Sequence, residues 1–245
     1  MDGLREFVQG RKAKALKCFG KSDHGDSAFL AGVLSLMLER FEDASRHFLT
    51  ARSKSGDLGR LFSKYGVLPR CTLDITEQIT VDIEPNVRGA QLGLVEAAQR
   101  LKKWDVVVQA LQHLRRLEPD DPVVKLSLVE AILDAAPANK SIHQRVIRLT
   151  KDVDNATPIH TALLLYKARA LRALKLTSAA QATLTKAMRR KKNRPADLLR
   201  ELRYERATLY EDEGQAKRAR ADLERIYAEA PGFADVAERL GFKAT

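Results

Sequence analysis

The sequence predicts an all-α fold made of repeated antiparallel helix pairs, interrupted once by a short extended insertion. Three observations predict it. The first is a spacing: Ala207, Ala219, Leu223 and Ile226 follow one another at steps of twelve, four and three, and Pro231 ends the unit. The second is its recurrence. The same steps return at Gly32, Ala44, Phe48 and Ala51, at Val95, Val107, Leu111 and Leu114, and at Ala168, Ala180, Leu184 and Ala187. A step of twelve leads from one helix, over a tight turn, to the facing position on the next helix, where small side chains let two backbones approach. The third is composition. The chain is 44% apolar but only 6% aromatic, which suits helix packing through Ala and Leu.

In chain order, 2–20 reads as a truncated pair. Gly3 and Ala15 are its contact residues, Phe19 follows, and Gly10-Arg11 is the turn. Asp26 or Ser27 is placed to cap the next helix. The pair at 26–56 turns at Arg40–Asp43 and stops at Gly56. A short helical piece with Leu58, Leu61, Phe62 and Tyr65 follows, broken by Gly66 and Pro69.

Residues 66–86 differ in kind. Cys71, Leu73, Ile75, Ile79, Val81 and Ile83 alternate with polar residues, a period of two that indicates extended strand. A turn at Thr76-Glu77-Gln78 pairs Ile75 with Ile79, Leu73 with Val81 and Cys71 with Ile83. The competing reading makes Asp74–Glu77 a capping box that opens a short helix.

The repeat resumes at 87–119, with Trp104 at the turn. From Val95 to Ala168 is 73 residues, about two repeat lengths, so a degenerate pair is expected over 121–152. Asp120 or Asp121 with Pro122 starts it. Pairs at 158–192 and 196–231 follow. Phe233, Val236, Ala237 and Leu240 then form one stripe, expected to be a capping helix over 233–242 that covers the open end of the array.

These spacings resemble the tetratricopeptide repeat, a helix pair of about 34 residues. The resemblance covers most of the chain except about 57–87. It implies a single right-handed α-solenoid with a short β-like insertion, acting as a non-enzymatic scaffold for protein–protein interaction. In that family the first helices line a concave groove that takes an extended peptide or a helix of another protein. The matching groove positions here are Phe29, Val33, Leu92, Glu96, Arg100, Arg169, Arg172, Tyr204, Thr208 and Glu211. Phe29 also fits an inter-repeat core. The Lys and Asn residues with which some members hold a terminal carboxylate are absent from these positions. Arg169 and Arg172 lie three apart on one helix and are expected beside Tyr204. They offer a receptor for an acidic peptide, or else they pair with Glu201 or Glu211.

Charge supports an alternative. The formal net charge is +11, with basic clusters at 11–17 and 189–194, so nucleic acid is the second candidate partner. Most cations are interspersed with acids, which also fits a solvated helical surface. No cofactor or metal site is expected, because the five histidines are scattered and no nucleotide-binding or nucleophile motif stands in a fitting context. Cys18 and Cys71 form no CxxC, and neither a signal peptide nor a membrane span is evident, which points to the cytoplasm.

Overall fold

The computed structural model describes residues 2–64, 66 and 69–242. Tyr65, expected on the apolar face of the short helical piece, lies outside them. The chain divides into two compact units, residues 1–131 and 132–245.

The first unit starts with α1 (Asp2–Val8) and α2 (Lys12–Phe19), then α3 (Gly25–Met37) and α4 (Phe41–Ser53). A 3-10 turn at Ser55–Asp57 and the single-turn α5 (Arg60–Ser63) lead to β1 (Cys71–Thr76) and β2 (Ile79–Ile83). Then come α6 (Val87–Arg100), α7 (Trp104–Leu117) and α8 (Pro122–Ala135), which starts in this unit. Ala15, Ala44 and Val107 are fully buried where paired helices meet, as the spacing requires. The centre of the unit is Phe48, also fully buried. Its ring lies in a slot between two glycines. A Cβ added at Gly32 would come within 2.9 Å of the ring, and one added at Gly93 within 2.3 Å. Gly93 carries no weight in the repeat pattern, yet it is the tighter of the two.

The start of α3 corrects the sequence reading. The N-cap is His24, whose Nδ1 accepts from the Asp26 backbone N–H at 3.2 Å. Asp26 itself is fully buried and does another job. Its carboxylate accepts backbone N–H groups from Gly59 (2.6 Å), Leu61 (2.7 Å) and Phe62 (3.4 Å). A carboxylate removed from water needs such donors, and these are the otherwise orphaned N–H groups that open α5.

The insertion is an antiparallel hairpin packed on α6. Cys71 pairs with Ile83 and Leu73 with Val81, as the alternation predicts. The third pair differs. Ile79 faces Thr76, with an irregularity between Asp74 and Thr76, so the turn is Glu77-Gln78. The extra residue flips the face: Thr76 is 5% exposed while Ile75 is only half-buried. The Thr76 hydroxyl accepts the Gln78 N–H at 3.2 Å, a local bond that favours the tighter turn. No helix opens at Asp74.

The second unit holds α9 (Lys140–Leu149), α10 (Pro158–Ala173), α11 (Thr177–Met188), α12 (Ala196–Asp212), α13 (Ala216–Glu229) and α14 (Val236–Arg239). Ala168, Ala180, Ala207 and Ala219 are the buried contact points of its pairs. The capping segment keeps its apolar stripe but is one helical turn, shorter than the stripe implies. Ala234 (φ 45°) and Gly241 (φ 85°) sit in left-handed conformations that bound it. Val236 and Leu240 still close the core formed by Ala207, Leu223 and Ile226. The architecture is an all-α array of helix pairs with a two-stranded insertion.

Candidate partner-binding face

The first helices of successive pairs adjoin within each unit, α3 with α6 and α10 with α12. Their outer faces are the surfaces that repeat geometry offers to a partner. The residues expected to line them fall into two groups.

In the first unit the apolar candidates are core. Phe29 is 0% exposed, Leu92 1% and Val33 2%. Phe29 packs edge-on against Phe48, with ring centroids 5.8 Å apart and planes at 76°. A partner does not reach these three side chains. The resemblance places these positions on the first helices, but it does not separate a groove from the seam beneath it. Glu96 and Arg100 remain accessible. The Arg100 Nε donates to Glu96 Oε1 at 2.8 Å, and the guanidinium lies 6.0 Å from the Phe41 ring centroid. The Glu96 bond and charge raise the Arg100 pKa, with Asp74 and Glu39 adding to the effect.

In the second unit the candidates form a network. Glu205 is 3% exposed and sits between two guanidiniums. Its carboxylate accepts from Arg172 Nε at 2.6 Å and Arg169 Nε at 3.3 Å. Arg169 also bonds Glu201, and Arg172 reaches Asp212 at 3.2 Å. Both arginine side chains remain about one-third exposed, 33% and 30%. Burial lowers the Arg172 pKa, and Glu205 with Asp212 more than reverses this. Both arginines reach solvent as paired cations.

Tyr204, on the same helix as Glu201 and Glu205, makes its own contacts with the C-terminal segment. Its hydroxyl donates to Asp235 Oδ1 at 2.7 Å, and its ring meets Phe233 at 5.9 Å. Arg239 of α14 lies over the same ring at 4.9 Å, donates to Thr208 Oγ1 at 3.2 Å and pairs with Glu211. The capping turn thus engages Tyr204, Thr208 and Glu211. Those positions on α12 point to the next element of the array, and here that element is α14. Burial and Asp235 raise the Tyr204 pKa, so the phenol stays a donor at neutral pH.

One concave feature lies elsewhere. A cleft of about 670 Å³ opens between α2, α3 and α4, lined in part by Lys17, Asp23, Arg40, Asp43, Arg46 and His47. Burial, then Arg46 and Arg40, lower the His47 pKa, so the imidazole is neutral at neutral pH. The sequence signal for this cleft was the cluster of charges at the start of α4. Among the described residues no three His, Cys, Asp or Glu side chains are grouped to hold a metal, and no helix is long and apolar enough to cross a membrane.

No protein-family model and no curated protein sequence matches this chain. Its likeness is to solved structures. The N-terminal domain of the EccA1 ATPase from the ESX-1 secretion system of Mycobacterium tuberculosis superposes with a TM-score of 0.66 at 15% identity, covering 98% of this chain and 86% of that one. A thermophilic tetratricopeptide-repeat protein of Thermus thermophilus gives 0.55 at 18% identity, covering 89% and 97%. Acl4, an assembly chaperone of RpL4, gives 0.54 at 13% identity, covering 98% and 92%. At such identities the likeness concerns the fold, and the fold of this chain is that of the tetratricopeptide-repeat proteins.

Proposed function

We propose that this protein is a non-enzymatic interaction scaffold that takes an extended peptide or a helix of another protein along the outer face of its first helices. The observation that carries this reading is the α10–α12 face. Its guanidiniums are held by a buried carboxylate, so their remaining donors are oriented before a partner arrives, which lowers the ordering cost of binding. The fold of Acl4, described as an assembly chaperone, supports a protein as the partner. The two free cysteines favour a reducing, cytoplasmic setting.

Geometry changes the expected partner. Arg169 and Arg172 face Glu201, Glu205 and Asp212, so the cluster is not cationic. An acidic peptide loses its Coulombic advantage there, and selection rests on hydrogen-bond geometry. The test is photo-crosslinking with a benzophenone amino acid at exposed positions. Ala173 lies on α10 and Asp212 on α12, both first helices; Glu224 and Arg225 lie on α13, a second helix. The expected result is one crosslinked protein from the first-helix positions, absent from the α13 positions and unaffected by nuclease. Crosslinks of equal yield from both sets, or only from α13, would overturn the reading.

A further inference from the structure

The loop after α11 carries charge that the fold does not use. Between 186 and 196 there are six Lys or Arg residues and no Asp or Glu. Two of the six are structural. Lys186 donates to the Val153 carbonyl at 2.9 Å and to Asp154 at 3.0 Å. Arg194 donates to the Thr161 hydroxyl at 2.6 Å and to the carbonyls of Asn155 and Ala156, each at 3.2 Å. Asn193, at φ 57°, reverses the chain so that Arg194 can reach the start of α10. The other four, Arg189, Arg190, Lys191 and Lys192, are exposed, and among the described residues none has an ion-pair partner.

Cations commonly collect at a helix C-terminus because the last carbonyls there are unsatisfied. That reason is weak here. The side-chain amide of Asn155, itself 8% exposed, donates to the carbonyls of Lys186 at 3.0 Å and Ala187 at 2.8 Å. A buried amide does the capping, and Arg194 staples the loop from the other end. The four cations stand on a braced ridge with no close ion pair among the described residues, and Arg190, after Lys186 and His160, only helps to lower the Asp154 pKa.

We propose that this ridge binds the phosphate backbone of double-stranded nucleic acid without reading its sequence. A protein partner would need desolvated aromatic or aliphatic anchors at the centre of the contact. Residues 189–194 offer none, and no aromatic residue lies between 167 and 203. The same absence removes the stacking platforms that hold single strands. What remains is a row of cations, which is what sequence-independent phosphate contact requires. A neighbouring group registers the field: burial and then Arg190 lower the Arg194 pKa. The basic cluster at 11–17 differs. Its Arg11 pairs with Glu6, and its Lys17 lines the cleft that holds Asp23 and Asp43.

The experiment uses the full chain and a fluorescein-labelled duplex of arbitrary sequence, read by anisotropy. Four phosphate contacts predict a slope of log K against log salt of about −3.6, at about 0.9 per contact. Replacing Arg189, Arg190, Lys191 and Lys192 by Ala should bring that slope close to zero and weaken binding by at least about tenfold at low salt. An unchanged affinity in the variant would overturn the proposal. So would polyglutamate of equal charge, or phosphatidylserine vesicles, competing as well as unlabelled duplex. Should the variant melt early, lysine acetylation of the wild-type protein decides: duplex should protect Lys191 and Lys192 but not Lys12 or Lys14, and unprotected Lys191 and Lys192 would overturn the assignment. This site is separate from the α10–α12 face, so either proposal can fail without the other.

Discussion

Equivalent positions of the repeat are filled by opposite chemistry in the two units. One residue after the small contact residue of the first helix, the first unit has Val33, 2% exposed, while the second has Arg169, whose side chain is 33% exposed. Between its pairs the first unit places an aromatic wedge, Phe48 between Gly32 and Gly93. The second places a carboxylate between two guanidiniums. In both units small residues stand at the closest approach of the paired helices, Gly32 and Ala44 in the first and Ala168 and Ala180 in the second. What fills the seam beside that approach is free to vary, provided volume or charge is matched across it. An apolar seam leaves little for a partner to recognise, whereas a paired ionic seam leaves oriented donors at the surface. This difference moves the candidate binding face to the second unit.

The apolar seam gives the largest expected effect. Truncating Phe48 to Ala should cost about 3–5 kcal/mol, since the two glycines cannot move into the void. Gly93→Ala attacks the seam from the other side. Its Cβ would lie 2.3 Å from the Phe48 ring, in a slot with no room to give. Overpacking of this kind costs about 1–3 kcal/mol, and the smaller ring-free Phe48→Leu should recover part of it. Urea unfolding of the two single variants and the double measures this. A Gly93→Ala variant as stable as wild type would show that Phe48 is not wedged.

The ionic seam should respond differently. Replacing both Arg169 and Arg172 by Ala leaves Glu205, 3% exposed, with no cation. Breaking a buried pair from one side costs about 3 kcal/mol or more. Replacing all three, Arg169→Met, Arg172→Met and Glu205→Met, should restore most of that stability, because no buried charge remains. The same triple variant should lose the partner, as it removes the oriented donors. If the double variant melts like wild type, Glu205 is better solvated than its burial indicates. If the triple variant stays as unstable as the double, packing rather than charge holds this seam.

Some of this was readable in the sequence. The pairs Ala207–Ala219 and Ala168–Ala180 were found by spacing, because a close helix approach tolerates few residue types. Alternation found the hairpin for a similar reason. The misses share a cause as well. Gly93 lies inside the run Gly93-Leu94-Val95, and the step of twelve selects Val95; only the position of the Phe48 ring marks the glycine. The bulge at Ile75 comes with a Thr76 hydroxyl that bonds its own turn, a local interaction that alternation does not encode. Arg169, Arg172, Glu201 and Glu205 are all visible in the sequence as charges. Which pairs with which depends on the offset between α10 and α12, a tertiary quantity. The contacts of Tyr204 with Asp235 and Phe233, just before the four-residue capping turn, are likewise tertiary and have no signal in the spacing.

The smallest effect tests one ion pair of the first unit. Arg88 Nε donates to Asp121 Oδ2 at 2.6 Å, and Asp121 Oδ1 caps α8 by accepting the Val123 N–H at 2.8 Å. Burial raises the Asp121 pKa, but Arg88 and the N–H groups of Val123 and Val124 outweigh it and hold the carboxyl below its ordinary value. A folded-state pKa below the unfolded one means that the unfolded chain binds the proton more tightly. The stabilisation is therefore complete above the unfolded value of about 3.9 and is lost as pH falls through the lower folded value. Asp121→Asn keeps a cap acceptor and removes the charge, so it should cost about 1 kcal/mol or less at neutral pH. The gap between variant and wild type should close below about pH 4, since protonated Asp121 resembles Asn. Thermal melts across that range check the sign. A gap that persists at the acid end would assign the loss to the cap geometry rather than to the Arg88–Asp121 pair.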